Sequence, residues 1–164
     1  MPMQFTRKAE YAILALVDLA RQPRDQWVLS KDVAERQRIP VKWMPQIMGL
    51  LARGKYVEGA RGSHGGVRLI RDPDAISLRQ VVELVDGPIA INRCLAGQGI
   101  CSQQSSCPLH GVWAQAQAEM VRVLESTSIG KLAWAQQSME QATPAGEPRQ
   151  KGTERTRRAD SVDS

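Results

Sequence analysis

A mainly α fold carrying one small β-hairpin is what this 164-residue sequence predicts, and three observations lead there. Aromatic side chains are scarce, with one Phe, two Tyr and four Trp, so the core must be assembled from Leu, Val, Ile, Met and Ala, a composition that disfavours a large β-sandwich. Apolar residues recur at spacings of three and four in several separate segments, which is the period of a partly buried helix. One stretch alone sets two β-prone runs on either side of a glycine- and arginine-rich turn. The length suits one compact domain plus an appendage and is short for the two-domain layout of most cofactor enzymes.

The elements follow in order. Thr6 is placed to N-cap a helix running to Ala20, apolar on nearly every face after Tyr11 and therefore expected to be central. A loop around Pro23 leads to Ser30, read as the cap of a short helix Lys31 to Gln37, and Arg38, Ile39 and Pro40 make a turn. In the next helix Trp43, Ile47, Leu50 and Leu51 share a face, Pro45 sits near its start, and Gly54 closes it where a left-handed residue is favoured. Two short helices joined by a tight turn are a helix-turn-helix, and the runs Tyr56–Val57 and Val67–Ile70 then form a hairpin wing. Ser77 and Gln80 have capping-box spacing at the start of a further helix that Gly87 stops.

The winged helix-turn-helix domain is thus read as residues 1–88, followed by a cysteine loop at 89–107. Pro108 opens a long amphipathic helix whose Leu109, Val112, Trp113, Ala116, Met120, Val123 and Leu124 form a stripe in need of a partner surface. A last short helix covers Ile129 to Met139, completing a unit at 108–140, and the polar remainder at 141–164 is expected to be disordered.

Charge placement points to a partner. The net charge is +5, and between Lys31 and Arg71 nine basic residues face three acidic ones. A positive field concentrated in this way attracts polyanions, of which nucleic acid is the commonest, the alternative being a plain solvated basic face. Helix-turn-helix units lay their second helix in the major groove. That makes Lys42, Trp43 and Gln46 candidates for reading bases, with Lys55 on phosphate and with Arg61 and His64 on the wing. Core packing is an equal reading for Trp43, and a solvated turn is the alternative for Arg61 and His64.

The longest apolar stretch, Tyr11 to Leu19, is broken by Asp18 and falls short of the roughly 20 residues that cross a bilayer, and no secretion signal is recognisable, so a cytoplasmic protein is expected. Three cysteines there are not expected to be stable disulfides. They form Cys94-x6-Cys101-x5-Cys107-x2-His110 in a Gly- and Ser-rich loop, without the paired CxxC spacing of structural zinc sites. That pattern suits a small iron–sulfur cluster, with zinc and unligated or redox-active thiols as the alternatives.

Taken together, QFTRKAEYAILAL, IPVKWMPQIMGLLARGKYVEGARGSHGGVRL, the three loop cysteines and the segment from CPLHGVW to STSIGKLA resemble the winged-helix iron–sulfur transcription regulators that include IscR and NsrR, over about residues 3–137. The resemblance implies a homodimeric, non-enzymatic regulator, repressor or activator, whose cluster alters its affinity for double-stranded operator DNA, with the helix from Pro108 as the dimerisation helix. It matches Cys94, Cys101 and Cys107 to the cluster cysteines, and His110 to the histidine ligand of the IscR type. Glu10 falls at an acidic ligand position that NsrR-like members contribute from the other subunit. Lys42 and Gln46 match base-reading positions and Arg61 the wing arginine. The implied cofactor is an iron–sulfur cluster, 2Fe–2S ahead of 4Fe–4S, with zinc as the lesser alternative and His110 ahead of Glu10 as fourth ligand. Two departures stand out: the gap from Cys94 to Cys101 is one residue longer than in IscR, and Pro45 stands where IscR has an acidic reader. The competing function is a small redox or electron-transfer protein, which lacks a second cluster motif and any dinucleotide fingerprint.

Overall fold

The computed structural model describes residues 5–62 and 65–142. Its elements are α1 (Arg7–Ala20), α2 (Ser30–Gln37), a 3-10 turn (Val41–Trp43) leading into α3 (Met44–Arg53), β1 (Val57–Ala60), β2 (Gly66–Leu69), α4 (Leu78–Asp86), α5 (Pro108–Ser126) and α6 (Ile129–Ala142). The mainly α, winged helix-turn-helix architecture expected from the sequence is the one observed.

Helix α1 is the axle. Thr6 caps it by accepting from the Ala9 amide at 3.2 Å, and Ala9, Ala12, Ala15, Leu16, Val17 and Leu19 are buried beneath α2, α3, α4, α6 and the hairpin. Small alanines on one side let neighbouring helices approach closely, while Leu16 fills the centre. Asp18, also buried, accepts from Arg36 Nε at 2.9 Å and Nη2 at 2.6 Å and from Gln37 Nε2 at 3.3 Å, tying α1 to the end of α2. That carboxylate raises the Arg36 guanidinium above its ordinary pKa, chiefly through the hydrogen bond. Helix α6 then returns to the head, where Ile129 and Ala133 enter the same core and Arg21 forms a bidentate pair with Glu140.

Three local expectations are corrected. Ser30 is the first residue of α2 and not its cap; Leu29 holds the cap position and no side chain caps the helix. Gly54 is right-handed at φ −73°, and the left-handed residue is the following Lys55 at φ 57°. Gly54 is required for a different reason: a Cβ there would lie 2.7 Å from Leu84 Cδ2 and 2.9 Å from the Tyr56 ring. The first wing strand runs to Ala60 rather than ending at Val57, with Val57 opposite Leu69 and Ala60 opposite Gly66. In addition, Val28 exchanges both backbone hydrogen bonds with Val67 at 2.9 and 2.8 Å, adding a one-residue bridge to the hairpin.

Helix α4 follows expectation. Ser77 caps the Gln80 amide, Gln80 reaches back to the Ser77 amide, and Gly87 at φ 85° ends the helix. The last helix runs to Ala142 rather than ending at Met139, so residues 141 and 142, expected in a disordered tail, are helical; the rest of that tail, residues 143–164, and His64 lie outside the described residues.

Candidate nucleic-acid interface and metal centre

Pro45 fits α3 because it occupies the first turn, where its missing N–H costs no helical hydrogen bond. The same placement leaves Lys42, in the 3-10 turn, and Gln46, in the first turn of α3, four apart and both exposed. Side chains so spaced share one helix face. Trp43 points elsewhere: it is half-buried against the core, its ring 6.2 Å from that of Tyr11. The structure therefore separates the three residues that the sequence grouped, Lys42 and Gln46 outward and Trp43 inward. Lys55 and Arg61 are exposed beyond α3 and at the end of β1.

The basic excess is also partitioned. Arg36 is engaged by Asp18, Arg68 by Glu58 and the face of Trp27 at 4.6 Å, and Arg71 by the face of Tyr56 at 5.2 Å. Lys31, Arg38, Lys42, Arg53, Lys55 and Arg61 remain exposed with no ion pair among the described residues. Six cations without a carboxylate partner, spread over α2, α3 and the wing, give the helix-turn-helix and its hairpin an excess of positive charge. Sequence reasoning counted Lys31, Arg38 and Arg53 in the charge excess and gave them no role; their lack of a carboxylate partner is a tertiary fact.

The cysteine loop carries a short 3-10 turn at Arg93–Leu95 and meets the first turn of α5. Cys94, Cys101 and Cys107 are half-buried and free, and all three open on one depression of about 370 Å³ that Ile100, Leu109 and Trp113 also line. Gln104 braces the loop, donating to the Cys94 carbonyl at 3.2 Å and accepting from the Gly99 amide at 3.4 Å. His110 follows Cys107 by three residues at the start of α5, and its Nδ1 is buried with no hydrogen-bond partner among the described residues. A buried imidazole nitrogen without a partner is costly and calls for an explanation such as an ion. Among the described residues no three His, Cys, Asp or Glu side chains stand close enough to share a metal as they lie. The donors nevertheless suit an iron–sulfur group: soft thiolates on a common depression edged by apolar side chains, with an orphaned imidazole beside them.

Glu10 is elsewhere. It pairs with Arg7 at 2.9 Å and borders a separate cavity of about 660 Å³ between the start of α1, the end of α4 and Met120 of α5. The three cysteines thus line one depression without standing within shared-ligand distance of one another, His110 follows Cys107 by one turn of α5, and Glu10 of the same chain lies apart.

Helix α5 has no buried residue; Leu109, Val112 and Val123 keep more than half of their surface in solvent, and Trp113 is exposed beside them. No helix among the described residues is long and apolar enough to cross a membrane.

Comparison with known proteins places this arrangement. The Rrf2 family model, described as an iron-dependent transcriptional regulator, matches residues 5–135. The chain is 29% identical over 162 residues to the HTH-type transcriptional regulator IscR of Enterobacter sp. strain 638, covering 98% of this chain and 97% of that protein. It is 31% identical over 130 residues to IscR of Vibrio cholerae, covering 79% of this chain and 75% of that protein. Among solved structures it is similar to T. potens IscR, with a TM-score of 0.67 and 22% identity over 89% of this chain and 96% of that one. It is equally similar in fold to CymR, the global cysteine regulator of B. subtilis, with a TM-score of 0.67 and 22% identity over 82% of this chain and 98% of that one.

Proposed function

This chain belongs to the Rrf2 family of DNA-binding transcription regulators, and from that premise we propose that it acts in the cytoplasm as a homodimer whose operator affinity is set by an iron–sulfur cluster. The observation that carries the reading is the shared depression of Cys94, Cys101 and Cys107 at the foot of an α5 helix whose apolar face is bare. Cys94, Cys101 and Cys107 would hold the cluster, with His110 as the fourth ligand, or Glu10 if a partner subunit supplies it. When bound, the cluster supplies a redox-active centre that oxygen, nitric oxide or iron supply can alter. A 2Fe–2S form is put ahead of 4Fe–4S, and in either form a nitrogen or oxygen donor in place of a fourth thiolate leaves one iron more exchangeable, which suits a sensor better than a permanent electron carrier.

The chain's own residues do the rest. Lys42 and Gln46 present donors and an acceptor to base edges, Gln46 being able to bond adenine at two atoms, while Lys55 contacts phosphate and Arg61 enters a neighbouring minor groove. In a two-fold dimer held by α5, two such heads face half-sites about one helical turn apart, so the operator is roughly palindromic. The cysteine loop sits between the head, residues 1–88, and the dimerisation unit at 108–140, so its state bears on how the heads are held.

The test is protein purified without oxygen. Visible charge-transfer absorption with iron and sulfide in the chain is expected; a colourless protein with one zinc per chain would reassign the loop as a structural clip. Operator binding with and without the cluster then reads the coupling, and identical affinities would overturn the sensor reading.

A further inference from the structure

Among the described residues only two that are not glycine adopt positive φ, Arg38 at 54° and Lys55 at 57°. That region is costly for any residue with a Cβ, and the position just past a helix is usually given to glycine or asparagine for that reason. Here both positions are cationic. Arg38 ends α2, its amide bonding back to the Ala34 and Glu35 carbonyls, and Lys55 follows α3, its amide 3.0 Å from the Ala52 carbonyl. Neither side chain is in the core, and neither has an ion pair or side-chain hydrogen bond among the described residues. The backbone strain is therefore not offset by packing.

The two residues flank one element. The segment from Val41 to Arg53 separates them and rises roughly 20 Å, so with its middle in a major groove the residues just beyond its two ends are placed to reach backbone phosphates rather than base edges. Strained residues gather where function demands a side chain that folding alone would not select.

We propose that Arg38 and Lys55 are paired phosphate contacts at the two ends of the recognition helix, kept as cations in left-handed positions for DNA affinity at the expense of the stability of the head. This rests on the reading of α2 and α3 as the DNA-binding unit. A purely structural account also exists: each cation stands at a helix C-terminus, where it meets the negative end of the helix dipole. The two accounts predict opposite signs.

The experiment uses the full chain and a short mixed-sequence duplex, because phosphate contacts need no operator, with affinity followed from low to physiological salt. Arg38→Gly and Lys55→Gly are each expected to lower affinity about 3–10-fold per bound head at low salt and to reduce the slope of log K against log salt by about 1 per head, about 2 for a dimer bound through both heads. Their thermal midpoints hold, or rise by about 2 °C, as the strain is released. Arg38→Asn and Lys55→Asn, which tolerate the left-handed region, repeat the loss of affinity, and Arg38→Lys and Lys55→Arg restore it. Wild-type affinity and slope in both glycine variants, or a midpoint that falls on removing either cation, overturns the proposal in favour of the dipole account. Lys42→Ala separates the two levels: if it weakens binding while the glycine variants do not, the α3 reading stands and the paired contacts are lost. If the wild type itself shows no salt-dependent duplex binding, both fall.

Discussion

Leu16 in α1 is fully buried, whereas Leu109 in α5 keeps 55% of its surface in solvent, although both lie on amphipathic helices of one chain. The difference extends over the two regions. The head closes a single core from α1, α2, α3, the hairpin, α4 and two residues borrowed from α6, and it satisfies its buried carboxylate with Arg36 and Gln37. The α5 arm buries no residue, lines an open depression with three thiols and leaves His110 Nδ1 without a partner. A region completed by its own chain and a region whose apolar face and thiols are left uncovered respond to substitution in different ways, and each of the following measurements either breaks or sharpens that contrast.

The largest effect belongs to the head. Leu16→Ala removes a fully buried side chain from the centre of the core and is expected to cost about 3–4 kcal/mol, read by denaturant unfolding of the metal-free protein. A loss below about 1 kcal/mol would mean that the head collapses around the vacancy, as a loosely packed region would. Next in size is the cap of α4: Ser77→Ala takes away the hydrogen bond to the Gln80 amide and should cost about 1 kcal/mol.

In the arm the same kind of measurement should barely move. Val112→Asp, at a position 58% exposed, is expected to leave the unfolding midpoint of isolated chains within about 0.5 kcal/mol of wild type. Its effect is on association, since a charge placed in an apolar contact must be desolvated without a partner. Sedimentation should therefore show a dimer becoming a monomer. A Val112→Asp dimer of unchanged strength would place the contact on another face.

How far the sequence disclosed each region follows the same division. Most features set by neighbours in the chain were legible: Thr6 as a cap, the Ser77–Gln80 box, Gly87 as a stop, Pro45 in a first turn, with Ser30 the exception, lying inside α2 rather than capping it. Features set by distant residues were not. The position past α3 is left-handed at Lys55 and not at Gly54, and what asks for glycine at 54 is instead the closeness of Leu84 and Tyr56, neither of which is visible from the helix pattern. Val28 joins the wing through Val67, far along the chain. At the candidate site, spacing alone grouped the three cysteines and the basic residues. Which cations stay uncommitted depended on Glu58, Trp27, Tyr56 and Asp18 closing over the others. Trp43 shows the limit most clearly, since helical spacing allowed it either an inward or an outward role and only its contact with Tyr11 decides.

The smallest stability effects, and the finest test of the contrast, come from His110 and Glu10. In metal-free protein the His110 Nδ1 is buried without a partner, so its imidazole contributes apolar contact but carries an unsatisfied polar atom. His110→Ala should therefore be close to neutral for folding, the lost contact offset by the relieved nitrogen. Glu10→Ala breaks only a half-exposed i,i+3 pair with Arg7, an interaction that contributes a few tenths of a kcal/mol, about 0.3, at most positions of this kind. Neither substitution separates the two residues by stability, yet reconstitution without oxygen does. If His110 is the fourth ligand, His110→Ala shifts the visible spectrum and shortens the life of the cluster in air, and does so equally in a Val112→Asp monomer, because Cys107 and His110 lie on the same chain. If Glu10 is the ligand, Glu10→Ala alters the spectrum, and so does Val112→Asp, because the carboxylate then has to come from a partner subunit: within one chain it borders a different cavity from the thiols. Unchanged spectra in both alanine variants would remove both residues from the ligand set and leave the orphaned nitrogen of His110 as a feature of folding alone.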